Sequence, residues 1–176
     1  MRFSRDMFLL SFYLRGIPFV DLVHLRKTDV KHNTIYYYRH KTRQQLSVHI
    51  ESYAAQIINR YKNEAASSPY LLLILSLTGE DGYRQYKSAL RLYNQHLHTL
   101  SKMLRLSIPL TSYVARHSWA TTAKDEGVAI SVISESLGHT SEKVTHVYLA
   151  SFDNNAMSKA NKKVIATIHP NKKKKP

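Results

Sequence analysis

The chain has 176 residues, 43% of them apolar, which suits one domain with its own core; the absence of cysteine excludes disulfides and thiolate metal sites and fits the cytosol. The longest apolar run, Tyr70-Leu71-Leu72-Leu73-Ile74-Leu75, is far too short to span a membrane, and the N-terminus carries no secretory pattern. With 26 Lys and Arg against 12 Asp and Glu the formal net charge is +14; this is the footprint of a nucleic-acid binder, a basic protein- or membrane-surface module being the alternative.

Phe3, Met7, Leu10 and Leu14 recur at helical spacing and predict a helix from about Ser4 to Leu14. Gly16 and Pro18 break it, and Phe19-Val20-Asp21-Leu22-Val23 starts a second, short helix. Thr34-Ile35-Tyr36-Tyr37-Tyr38-Arg39 is rich in β-branched and aromatic residues, and Leu46-Ser47-Val48-His49-Ile50 alternates. The polar, basic segment between them makes a β-hairpin with His40, Lys41 and Arg43 at a cationic tip. Ser52 is placed to cap a third helix with Ala54, Ile57, Ile58 and Tyr61 on its inner face. The apolar run at 70–75 reads as buried, and Gly79-Glu80-Asp81-Gly82 as a loop. Tyr86, Leu90, Tyr93, Leu97, Leu100 and Leu104 then step by four and three, the clearest amphipathic helix in the chain. Its His96 and His98 lie about 200° apart and cannot share a metal.

After Pro109, Thr111 or Ser112 caps a helix that carries Arg116, with Ala115, Trp119 and Thr122 facing inward and Gly127 ending it. Ile130, Ile133 and Leu137 form a further short helix that stops at Gly138, which puts His139 on a tight turn. A new helix begins near Ser141 and carries Thr145 and Tyr148. Phe152 to Val164 predicts a last helix, followed by a short apolar end and a tail of four lysines, Lys172 to Lys175.

A guanidinium (Arg116), an imidazole (His139) and a phenol (Tyr148) have a natural common target in a phosphodiester. Arginine orients two phosphate oxygens through its planar fork, histidine exchanges protons near neutral pH, and a phenol can attack phosphorus. The order Arg116-His117-Ser118-Trp119-Ala120-Thr121, then Leu137-Gly138-His139, then Thr145 and Tyr148 resembles the C-terminal signature of the tyrosine recombinase (phage integrase) family. The likeness to integrases of conjugative transposons and to DNA-inversion recombinases is of the same kind.

The resemblance implies a mainly α fold with a small antiparallel β-hairpin or sheet, that of the family's DNA breaking-rejoining catalytic domain, over residues 1–168. Residues 169–176 are expected to be a disordered basic tail, and the family's N-terminal DNA-clamping domain is expected to be absent from this chain. The implied activity is site-specific recombination of double-stranded DNA through a 3′-phosphotyrosyl intermediate, in integration, excision or inversion, with no metal or nucleotide cofactor. The implied partners are duplex DNA and further copies of the chain, four per synapse, with no membrane; the fragment by itself is expected to be a monomer. Two alternatives stand beside it: type IB topoisomerase-like nicking and religation, and a catalytically impaired basic DNA-binding module.

Within the resemblance Tyr148 is the nucleophile, Arg116 a phosphate clamp, His139 a supporting hydrogen-bond donor, and Lys41 of the hairpin the general acid. The match fails at two places. The arginine usual three residues before the acidic residue of the second helix is Pro18 here, counted from Asp21, and Arg15 is the nearest substitute. The usual histidine three residues before Arg116 is Tyr113, whose hydroxyl can donate to phosphate but carries no charge. Tyr113, His40 and Arg43 are the expected DNA contacts, and His117 a structural polar contact.

Overall fold

The computed structural model of the chain describes residues 1–150; the expected helix at 152–164 and the basic tail at 169–176 lie outside them. Helix α1 (Arg2–Tyr13) is followed by a turn through Arg15 and Gly16, both at positive φ, and by α2 (Phe19–His24). A single 3-10 turn leads into a three-stranded antiparallel sheet of β1 (Val30–Lys31), β2 (Thr34–Tyr38) and β3 (Gln45–His49), in that spatial order. β1 was not foreseen: two residues are too few to show alternation. It exists because His32 and Asn33, at φ 46° and 59°, make the left-handed two-residue turn that matches strand twist.

Helices α3 (Ser52–Arg60), α4 (Gly79–Met103), α5 (Val114–Asp125), α6 (Ile130–Leu137) and α7 (Glu142–Ala150) complete the described chain. Three local expectations need correction. Glu51, not Ser52, precedes α3, and no side chain caps that helix by a hydrogen bond. The run at 70–75 is neither strand nor uniformly buried: Tyr70 makes one bridge to Arg26, Leu72 and Leu75 are buried, and Leu73 faces solvent. Helix α4 starts seven residues before its apolar stripe, at Gly79, where a loop was expected. Only Tyr93 and Leu97 of the stripe are fully buried, and Leu104 is exposed.

Two apolar clusters result. The larger gathers Met7 and Leu10 of α1, Leu14 just after it, Phe19 and Leu22 of α2, Ile35, Leu46 and Val48 of the sheet, and Tyr93 and Leu97 of α4. The smaller joins α5, α6 and α7 through Ala120, Ile133, Leu137 and Leu149, with Trp119 and Tyr148 packed against it. An arginine sits where the two meet.

Candidate active site

That arginine is Arg116. Helix α5 presents Ala115, Arg116 and Ala120 inward, whereas Thr122, expected on this face, is exposed. The small side chains let α5 approach α1 closely, and Arg116 is only 1% exposed. Its Nη1 donates to the carbonyl of Gly16 at 3.0 Å and its Nη2 to the carbonyl of Leu137. The turn after α1 and the C-terminus of α6 thus hold the guanidinium from two sides. Gly16 is needed there: at φ 71°, an added Cβ would lie 2.8 Å from the Arg116 Cα.

Helix α6 ends as expected on Gly138 in the left-handed conformation. The turn brings His139 Nε2 to 3.4 Å from Arg116 Nη2 and Nδ1 to 2.8 Å from Thr145 Oγ1. Arginine can only donate, so Nε2 accepts and Nδ1 carries the proton. Burial first, then the charges of Arg116, Arg39 and Lys41, pull His139 down to about 4, so its imidazole is neutral at physiological pH. In this state it receives a hydrogen bond from Arg116 and donates one to Thr145.

Tyr148, half-buried on α7, meets His139 edge-on at 5.6 Å between ring centroids and Tyr113 edge-on at 6.2 Å. His117 lies flat on it at 4.3 Å, with 7° between the planes. Burial raises the phenol well above its ordinary range; Arg116 opposes the rise and Tyr113 adds to it. The structure therefore brings Arg116, His139 and Tyr148 together.

The other candidates divide. Lys41 is exposed at the hairpin tip, and Thr42 beside it donates to the Gly138 carbonyl at 3.2 Å, folding the tip onto the His139 turn. Tyr113 is exposed at the N-terminus of α5, next to the phenol. Arg43 is exposed, at φ 58°. His40 faces the other way: its ring stacks on His24 at 4.8 Å and lines a cavity of about 340 Å³ with Tyr83 and Tyr86. Arg15 donates to the Ser47 carbonyl at 3.5 Å and lines a depression between β3 and α6. Its charge reaches Tyr37, but it is not among the charges acting on His139 or Tyr148.

Arg39 is the residue that sequence reasoning missed. It is 6% exposed, bonded through Nη1 to the buried carboxylate of Asp21, and its charge acts on both Arg116 and His139. Its aliphatic stem runs under Gly138, where an added Cβ would meet Cγ at 2.8 Å. Asp21 also accepts the backbone N–H of His40 at 2.9 Å, so one carboxylate fixes both the guanidinium and the start of the tip. Among the described residues the Nε groups of Arg39 and Arg116 are buried with no hydrogen-bond partner. Two buried guanidinium donors without acceptors are an unmet demand that an anion would satisfy. A signal for Arg39 was present: Ile35 and Tyr37 point inward, and strand alternation carries Arg39 to the same side.

Among the described residues no group of three or more His, Asp or Glu is placed to hold a metal ion, and no helix is long and apolar enough to cross a membrane. In comparisons with known proteins, the family described as "Phage integrase family" matches residues 5–155. The fold is similar to that of XerA recombinase (TM-score 0.63, 18% identity, covering 96% of this chain and 63% of that one). It is also similar to the Tn1549 transposon integrase in complex with a circular intermediate DNA (0.58, 16%, 91% and 57%) and to a lambda integrase dimer bound to a COC′ core site (0.54, 15%, 88% and 53%). The chain thus spans less than two thirds of each of these proteins. Its sequence matches no curated protein.

Proposed function

The chain belongs to the phage integrase family, and from that premise we propose that it carries the catalytic centre of a site-specific DNA recombinase working through a covalent phosphotyrosine. The observation that carries this reading is the meeting of Arg116 of α5, His139 of the turn after α6 and Tyr148 of α7, beside Arg39 and the Lys41 hairpin. Duplex DNA as substrate and pairing of protomers on it draw support from the DNA complexes of the Tn1549 and lambda integrases.

In the proposed reaction the scissile phosphate enters between the hairpin tip and α5. Arg116 and Arg39 turn their unmet N–H donors to its non-bridging oxygens, replacing Arg15 in the second clamp position. The Tyr148 oxygen attacks phosphorus and loses its proton to solvent. The P–O5′ bond breaks, and Lys41 protonates the leaving 5′ oxygen. One phosphodiester is exchanged for a phosphotyrosyl ester of similar energy, so the reverse attack by a 5′ hydroxyl rejoins a strand without ATP. His139, neutral and tied to Thr145, holds Arg116 in place until the phosphate arrives.

The test is trapping on a duplex with a nick just 3′ of the cleavage position, which lets the 5′ fragment escape. A covalent protein–DNA adduct that is absent in Tyr148→Phe is the expected result; no adduct, or an adduct that persists in Tyr148→Phe, overturns the reading. Exchange between two labelled sites then separates recombination from nicking and religation alone.

A further inference from the structure

The proposed reaction gives His117 no role, although it follows Arg116 directly and stacks on the Tyr148 ring. The imidazole and phenol planes differ by 7° at a centroid distance of 4.3 Å. Tyr113, at the N-cap of the same helix, meets His117 edge-on at 4.9 Å and Tyr148 edge-on at 6.2 Å, so it flanks the pair. Burial and the Arg116 charge lower the proton affinity of His117, which leaves a neutral ring in a stack that charge repulsion does not disturb.

Such a ring cannot serve as the base for the phenol. The imidazole lone pair lies in the ring plane, and in a parallel stack that plane never points at the neighbouring hydroxyl. What the ring does supply is a flat seat at a fixed place. Consecutive helix positions diverge by about 100°. Arg116 therefore projects between the Gly16 and Leu137 carbonyls while His117 projects toward α7. One rigid helix carries both the phosphate clamp and the seat of the nucleophile.

We propose that His117 is a positioning residue: its ring face sets the offset between the Tyr148 phenol and the phosphate held by Arg116. The proposal rests on the reading of Tyr148 as nucleophile. It is a different role from the structural polar contact expected of this residue, because it acts through the ring face and requires no polar atom.

The test uses the whole 176-residue chain with His117→Leu and His117→Phe. At saturating nicked duplex, His117→Leu slows single-turnover adduct formation by about ten- to a hundredfold, the scale of a misplacement near 1 Å, while the DNA dissociation constant stays within about twofold. His117→Phe restores a flat face and recovers most of the rate. A Leu variant as fast as the wild type, or faster, overturns the proposal, the latter by showing that the stack restrains the nucleophile. A Phe variant as slow as Leu overturns it in favour of the imidazole nitrogens. If His117→Leu does not fold, as judged by circular dichroism, His117→Gln takes its place with the same expectations. A second measurement needs no catalysis: the ring protons of Tyr148, identified by their loss in Tyr148→Phe, should lie upfield under the imidazole ring current and move downfield in His117→Leu. Unmoved resonances refute the seat even if the wild type forms no adduct, whereas a shift with no adduct refutes only the reading of Tyr148 as nucleophile.

Discussion

At the scale of single residues, the second phosphate clamp is decided by burial. Arg15 and Arg39 are both near the hairpin, but only Arg39 is buried, ion-paired and electrically coupled to His139. Arg39→Lys keeps the charge near Asp21 but loses the planar fork. It should therefore lower adduct formation by about 10²–10³, the cost of one preorganised donor. Arg15→Lys should change it by less than about tenfold; single-turnover trapping decides, and the opposite order would return the clamp to Arg15. Asp21→Ala leaves the Arg39 charge buried and unpaired, which should cost about 3–5 kcal/mol of stability in urea denaturation.

His139 makes the acid side of the stability curve predictable. Its proton affinity falls from 6.5 to about 4 on folding, through burial and then the neighbouring charges. A group with a depressed folded value takes up protons in the unfolded chain first. Its contribution is therefore complete above 6.5 and is lost as pH falls toward 4. The thermal midpoint should drop across that window, and His139→Gln should flatten the drop.

At the scale of elements, the site is assembled by turns. Gly138 ends α6 at φ 64° and packs on Arg39; Gly127 ends α5 at φ 81°, and a Cβ added there would have nothing within 4 Å. Both Gly→Ala changes carry the left-handed penalty of about 1–2 kcal/mol. Only Gly138→Ala also pushes on the Arg39 stem. Urea denaturation should find Gly138→Ala the more costly of the two, and adduct formation should fall for that variant alone. Equal costs and equal activities would show that the contact with Arg39 carries nothing.

At the scale of the whole molecule, a charge of +14 on a small chain makes DNA affinity a matter of counterion release. With about 6–10 phosphates neutralised, affinity should fall by about 10³–10⁵ between roughly 50 and 200 mM salt, and a flat salt profile would rule out phosphate-led binding.

The sequence by itself determined the helices whose apolar stripes repeat, the hairpin, the stop at Gly138, and the trio Arg116, His139 and Tyr148. These are local patterns: a period, a breaker, or a fixed interval that can be read along one line. It could not place Arg39 beside Arg116, seat Tyr148 on His117, or turn His40 away toward His24. It also misjudged Leu104 and the 70–75 run, since an apolar residue is buried only if another element arrives to cover it. Those outcomes belong to the tertiary structure, because charge coupling, ring stacking and desolvation depend on distances between segments that lie far apart along the chain.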